Sequence, residues 1–433
     1  MANTNLVRIH REETRLGLLA ETTWGDTPNT TPVIIPVEPP DLREEPIVAR
    51  DSMIRGLNSK DIESRLVRRQ ATGSLRGILY PVEFGWLLNS IMGSETDTVP
   101  GQLQKPTAIA IGFYVHDFVS NRLPSGLSIV EDYPLSTSGA DAIGLPLSSA
   151  DATVTKLQRL WKGMLIKRLT ISGRAGEDWV TYEAQLLGKG SIWPNTGAQV
   201  TAPATYSLYS GSSPDLMQKG FVGSDASVSI NGDTTGMLLD FELTIERPDL
   251  DLAVGAAATR IPNIMRSDPL TFNARFVVEW RYAAQLRKNI YDNPAGNTLF
   301  EFGEELASPI APTSFEDNRD TFHLRLATLE GIVTSKTPIP TTATATPVYA
   351  DTLTLAPLLD GADAREGVLD FYLGKVDYSN EPVVLNRDER TLTVEFNVKG
   401  FYQTDPLFPY NRAAIIRLIN KKVTPYTNMT ETP

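Results

Sequence analysis

Alternation of apolar and polar residues recurs along this chain and restricts the fold more than any other feature. In Trp179–Leu187, residues Val180, Tyr182, Ala184 and Leu186 fall on one side, and Thr181, Glu183 and Gln185 on the other. Leu239–Glu246 repeats the pattern with Leu239, Phe241, Leu243 and Ile245. Thr391–Val398 does so with Leu392, Val394, Phe396 and Val398. Side chains of an extended strand point alternately to opposite faces, so such stretches bury one face as half-covered antiparallel strands. Turn formers separate the runs at Ser172–Gly176, Asn231–Asp233 and Asn386–Asp388. Helical spacing is rare. Tyr80–Gly93 has Pro81 in its first turn, Phe84, Leu87, Leu88 and Ile91 on one face, and a terminal Gly. Tyr282–Tyr291 and Asn411–Lys421 are two further helix candidates. So little helix cannot cover a parallel α/β sheet, and the sequence predicts a mainly β protein, a sandwich or barrel with an accessory helix.

The 433 residues suit two domains, each large enough for its own core. The order of elements repeats. The first half reads strand (72–79), helix (80–93), strand (108–118), long loop, strand (163–172), turn, strand (179–188). The second reads strand (270–280), helix (282–291), strand (321–334), long loop, strand (368–378), turn, strand (391–400). This order predicts an internal duplication, with domains at 1–218 and 219–433. Residues 119–155, 194–218 and 335–348 read as loops, the last rich in Thr and Pro. The first domain is expected to carry an extended N-terminal arm and a basic loop near 50–70.

Composition removes several function classes. With no cysteine, the chain has neither disulfides nor thiolate nucleophiles or ligands, which fits folding in a reducing cytoplasm. The apolar run 108–115 is too short to cross a bilayer, and the N-terminus shows no signal-peptide core, so no membrane association is expected. A net charge of −12 opposes a surface that grips nucleic acid. Nucleophile-elbow, zincin, phosphate-loop and dinucleotide-binding spacings are all absent. His10, His116 and His323 are far apart in sequence, and a structural role is expected for the last two. Carboxylate pairs such as Glu12–Glu13 and Glu304–Glu305 read as solvated surface, so no catalytic, metal or cofactor site is expected.

Two basic runs stand out. Arg50, Arg55, Lys60, Arg65, Arg68, Arg69 and Arg76 crowd one segment, and residues 156–174 hold six cations and no acid. With Trp161 the one aromatic in the second run, docking on an acidic protein surface is favoured over stacking on bases.

Four segments, in this order, carry a family resemblance. Leu16–Pro28, with its Glu, Trp, Gly and Thr-Pro, is similar to the opening of many phage tail tube proteins. Tyr80–Gly93 resembles the helix that those proteins pack on their sandwich. Lys167–Gly173 followed by Glu183–Lys189 resembles their hairpin, and Asp225–Gly232 followed by Leu239–Glu246 the next strand pair. The resemblance implies two tandem tail-tube-like β-sandwich or β-barrel domains, each with a flanking α-helix. It implies a structural virion protein, assembled in the host cytoplasm, whose rings stack into the tail tube that conducts DNA. The implied partners are other copies of the chain, as homotrimeric pseudo-hexameric or as hexameric rings, together with tape measure, tail terminator and baseplate proteins. DNA would pass without specific binding.

On this reading Arg55, Lys60, Arg65, Arg68 and Arg69 dock one ring on the next, and Glu183, Asp240, Glu242 and Glu246 line the bore. Another virion or surface β-protein (a connector, spike or adhesin) and a β-architecture carbohydrate-active enzyme are the competing readings.

Overall fold

The computed structural model describes residues 15–51, 63–95, 107–134, 156–194, 220–254, 261–279, 322–328, 367–380, 393–400 and 414–420 with Tyr426, with short breaks inside some stretches. Antiparallel ladders dominate it. The first half runs β1 (Arg15–Ala20), β2 (Val33–Ile34), β3 (Asp41–Asp51), β4 (Glu63–Ile78), α1 (Phe84–Met92), β5 (Gly93–Glu95), β6 (Thr107–Ala110), β7 (Phe113–Ser120), β8 (Leu127–Pro134), β9 (Lys156–Arg174), β10 (Thr181–Gly188) and β11 (Gly190–Ile192). The second runs β12 (Ala226–Ile230), β13 (Asp233–Thr234), β14 (Met237–Glu246), β15 (Asp251–Ala253), β16 (Ile264–Arg266), β17 (Thr271–Glu279), β18 (Phe322–Ala327), β19 (Val368–Leu373), β20 (Val376–Asn380), β21 (Thr393–Gly400) and β22 (Ala414–Asn420).

Two sheets result. A twelve-stranded sheet has the path β2-β1-β8-β9-β14-β17-β21-β20, with β10 bridging β9 to β4, β3 beyond β4, and β11 on β9. An eight-stranded sheet has the path β13-β12-β18-β19-β22-β7-β5, with β6 also on β7. The 19-residue β9 is shared between two ladders. Its N-terminal part pairs with β8 and β11, and its C-terminal part with β10 and β14.

Pairings recur between the halves. β1–β8 is matched by β12–β18, β3–β4 by β14–β17, and β4–β10 by β17–β21. Likewise β9–β10 is matched by β20–β21, β8–β9 by β18–β19, and β9–β11 by β19–β22. Strands of the two halves also meet directly. β14 lies on β9, Asp240 opposite Arg174 through Glu246 opposite Arg168. β22 lies on β7, Ile415 opposite Val119 through Asn420 opposite Tyr114.

The helix sits between the layers because its apolar side chains recur at three and four residues, a spacing that puts them on one face. Phe84, Leu87, Leu88 and Ile91 join Trp161, Ile171 and Phe276 in one core. Removing such a side chain from water contributes about 1.5–3 kcal/mol. Gly93 ends the helix at φ 87°, its N–H bonded to the Asn89 carbonyl. A Cβ there would stand 2.0 Å from the Leu123 carbonyl oxygen, so only glycine fits.

Three expectations are corrected. Residues 414–420 form a strand, because β22 is buried on both faces and a continuous apolar run has no period to separate strand from helix. The stretch 119–155 contains β8, whose polar residues Ser128, Glu131 and Asp132 are buried rather than looped out. Residues 63–70 of the basic segment belong to β4 instead of a loop. The helix candidate 282–291 and the Thr/Pro-rich segment 335–348 lie outside the described residues, as does the N-terminal arm before residue 15.

Candidate functional site

The strand alternation that buries Val180, Tyr182, Leu243 and Ile245 turns the intervening polar residues to the opposite face of the large sheet. Register places all four predicted acids there. Glu183 is opposite Thr170, which is opposite Thr244, while Asp240, Glu242 and Glu246 are opposite Arg174, Ser172 and Arg168. The face is of mixed charge. Arg76 donates to Glu183 at 3.0 Å, and Arg275 donates to Asp240 at 3.4 Å. Hydroxyls fill the rows between, with Ser172 and Thr181 3.3 Å apart and Thr170 and Thr244 3.5 Å apart.

The basic segment lies partly on this sheet. β3 and β4 pair along their length, from Asp41 opposite Ser74 to Asp51 opposite Glu63, and form a ribbon. Arg65, Arg68 and Arg69 lie on β4, whereas Arg55 and Lys60 fall outside the described residues. Arg65 and Arg69 are exposed. Arg68 donates to the Leu252 carbonyl and stands 3.7 Å from Asp251, which fastens the ribbon to β15.

Edges matter as much as faces in a sheet, because an unpaired edge presents backbone donors and acceptors. Among the described residues, β3 pairs only with β4, β20 only with β21, and β11 only with β9.

Buried ionic groups hold the halves in register. Arg325, Asp370, Arg417 and Asp117 stand opposite one another on β18, β19, β22 and β7, giving a row of alternating sign. Arg417 grips Asp117 through two hydrogen bonds of 2.8 and 3.1 Å. Burial alone would raise the Asp370 pKa, but the His323 hydrogen bond at 2.9 Å and the charges of His323, Arg325 and Arg417 outweigh it and hold it low. His116 meets Glu95 at 2.7 Å in the interior, as His323 meets Asp370.

Arg247 donates to the carbonyls of Ile91, Met92, Asn121 and Arg122 and to the Ser267 hydroxyl. It thereby closes the C-terminal end of α1, where a cation is favoured. Burial pulls its pKa down to about 10.

The Glu21–Gly25 turn is similarly clamped. The Glu21 carboxylate accepts from Ser128 Oγ at 2.6 Å, Gly163 N at 2.8 Å and Gly25 N at 2.6 Å. Burial raises its pKa against these bonds. Lys189 lies 4.0 Å over the Trp24 ring and donates to the Trp24 carbonyl. Sequence reasoning did not single out Asp117, Arg247 or Arg417. The only signal was a charge placed at the end of, or inside, an apolar run.

A family model described as "Phage tail tube protein" matches residues 12–302, more than half of the chain. No curated protein matches.

Proposed function

Since this chain belongs to the phage tail tube protein family, we propose that it is the ring-forming subunit of a tail tube, that its two halves are duplicates, and that three copies close each ring. A structural tail protein that associates with itself and with other tail components is what membership alone implies. Membership likewise points away from an enzyme.

The observation that carries the finer reading is the β9–β14 junction. It joins two four-stranded units, β3-β4-β10-β9 and β14-β17-β21-β20, edge to edge. By the recurring pairings, β20 is the counterpart of β9, and β3 the counterpart of β14. The outer edges of one chain therefore match each other as β9 matches β14, so β20 of one copy pairs with β3 of the next. Closure of a cyclic assembly needs a whole number of such steps. Three chains place 24 strands around the bore, about 115 Å of circumference at ~4.8 Å per strand. This gives a diameter of roughly 37 Å, or about 27 Å after ~5 Å of side chain on each wall, which admits a DNA duplex.

In this assembly the polar face carrying Glu183, Asp240, Glu242 and Glu246 lines the bore. Its acids repel the duplex while Arg76 and Arg275 moderate the field, so DNA passes without being held. The basic segment docks on the acidic surface of the neighbouring ring, through the exposed Arg65 and Arg69 together with Arg55 and Lys60, while Arg68 braces the β3–β4 ribbon from within. Tape measure, terminator and baseplate proteins meet the ends of the tube. The virion tail is the site of action, after assembly in the host cytoplasm. Native mass measurement of an isolated ring tests the count: three chains of 47.5 kDa are expected. A ring of six chains would show that the second half does not supply a sector.

A further inference from the structure

In the second half, the row β13-β12-β18-β19-β22 does not end at β22. There β7 of the first half adds a strand to it, locked by Asp117 and Arg417. The corresponding row in the first half, β2-β1-β8-β9-β11, stops at β11 among the described residues. The Ser191 amide on β11 donates to the Glu44 carboxylate at 2.8 Å, so it points away from β9. A carboxylate thus occupies the position where a further strand's carbonyl would stand.

Exposed apolar side chains follow on β11 and on the β3–β4 ribbon. Ile192 is 44% exposed and Trp193 52%, with Val48 on β3 at 41% and Val67 on β4 at 49%. These are four of the seven exposed large hydrophobic residues described. Glu44 belongs to β3, so the β11 edge is continuous with the β3 edge assigned to ring closure.

We propose that the outer edge of β11 is a second subunit-binding edge, taken up by a strand from the second half of another copy of this chain. The inference rests on the ring-closing reading above and adds a second layer to it. Within one chain the halves meet twice, β14 on β9 in one sheet and β7 on β22 in the other. A copy whose β20 reaches β3 stands beside β11, and repeating the internal arrangement puts a strand of that copy on β11. Strand addition supplies backbone hydrogen bonds, and the apolar side chains around Ile192 and Trp193 supply burial. In the free chain Glu44 blocks the edge, a charged cover of the kind that keeps exposed edges from pairing indiscriminately. Docking moves Glu44 aside and gives the Ser191 amide a backbone carbonyl in its place.

The test is assembly of the full chain carrying Ile192→Lys and Trp193→Lys together. Neither side chain belongs to the buried core, although Trp193 stacks on Tyr133 and meets Arg159, so far-UV circular dichroism should match the wild type and melting should fall only slightly. Ring and tube formation, followed by sedimentation, should fall by about tenfold or more per interface. Hydrogen exchange gives an independent reading: amides of residues 190–193 in the wild type should exchange at least about tenfold more slowly in tubes than in dilute monomer. Normal assembly of the variant, or unchanged exchange at 190–193 in wild-type tubes, overturns the β11 assignment while the functional reading stands. A wild-type chain that forms no rings at all overturns both.

Discussion

Replacing Arg247 with methionine keeps most of its volume and removes one charge and five donated hydrogen bonds, four of them to backbone carbonyls. The arginine has a relative exposure of 0%, so water cannot take over those acceptors. A hydrogen bond from a charged donor contributes about 1.5–3 kcal/mol, but the five share one group and do not add. Burying the guanidinium itself is unfavourable, as its lowered pKa shows, and methionine recovers that part. The balance resembles removal of one partner from a buried ionic site, which costs roughly 3–5 kcal/mol. The lower end is expected here, about 3 kcal/mol, because the acceptors are dipoles rather than a carboxylate. Urea unfolding of dilute monomer, read by tryptophan fluorescence, measures the loss. Hydrogen exchange should show its focus at the end of α1, around residues 91–93 and 121–122. Arg247→Lys keeps the charge but cannot span four carbonyls, so it should fall between methionine and the wild type. A methionine variant within about 1 kcal/mol of the wild type, the ordinary range for a volume-conserving swap, would refute the reasoning.

Gly93→Ala forces a Cβ against the Leu123 carbonyl at a positive φ and should cost about 2 kcal/mol or more, seen as a lower urea midpoint. Asp370 has its folded pKa held below the ordinary 3.8, so its stabilisation is fully present above 3.8 and is lost as pH falls below it through the lower folded pKa. The wild type should therefore outlast Asp370→Asn by about 3–5 kcal/mol at pH 7, and the gap between their melting curves should start to close only as pH falls below the ordinary carboxylate range. Reversing Arg65 and Arg69 to Glu should leave the monomer's melting unchanged while stopping tube growth by electron microscopy. Each exposed pair contributes about 1 kcal/mol or less, so the effect grows from many copies per ring, and tubes of normal length would rule out the docking role.

The parts of the fold that were legible in the sequence are those with one wet face. β10 and β14 alternate because one side meets the core and the other does not, and α1 shows its spacing for the same reason. Elements without that contrast were missed. β22 packs on both sides, so Ile415, Ile416, Leu418 and Ile419 show no strand period. β8 hides behind buried polar residues that find partners only in three dimensions, such as Asp132 with Gln158 at 2.9 Å. The β4 part of the ribbon is exposed at Arg65, Val67 and Arg69, and its charges read as loop. Alternation puts Asp240, Glu242 and Glu246 on one face of their strand and Glu183 on a comparable face of another, and only the register brings the two together. Their cationic neighbours Arg76 and Arg275 come from strands about a hundred and about thirty residues away, beyond any local pattern. Asp117 and Arg417 lie 300 residues apart, and nothing in either segment points to the other.

At ~3.3 Å per residue the 19 residues of β9 span about 60 Å, and they run from one ladder into another without a loop. In the proposed cylinder, each chain would tie these two ladders together by a covalent strut. Slip between the layers would have to stretch peptide bonds rather than break weak contacts. Resistance to flexing rises steeply when inner and outer skins cannot slide, as in a laminated beam whose plies are pinned. A load applied to one ladder would then be felt in the other within the same strand, yielding first where Gly163, at φ 61°, and the register shifts interrupt it.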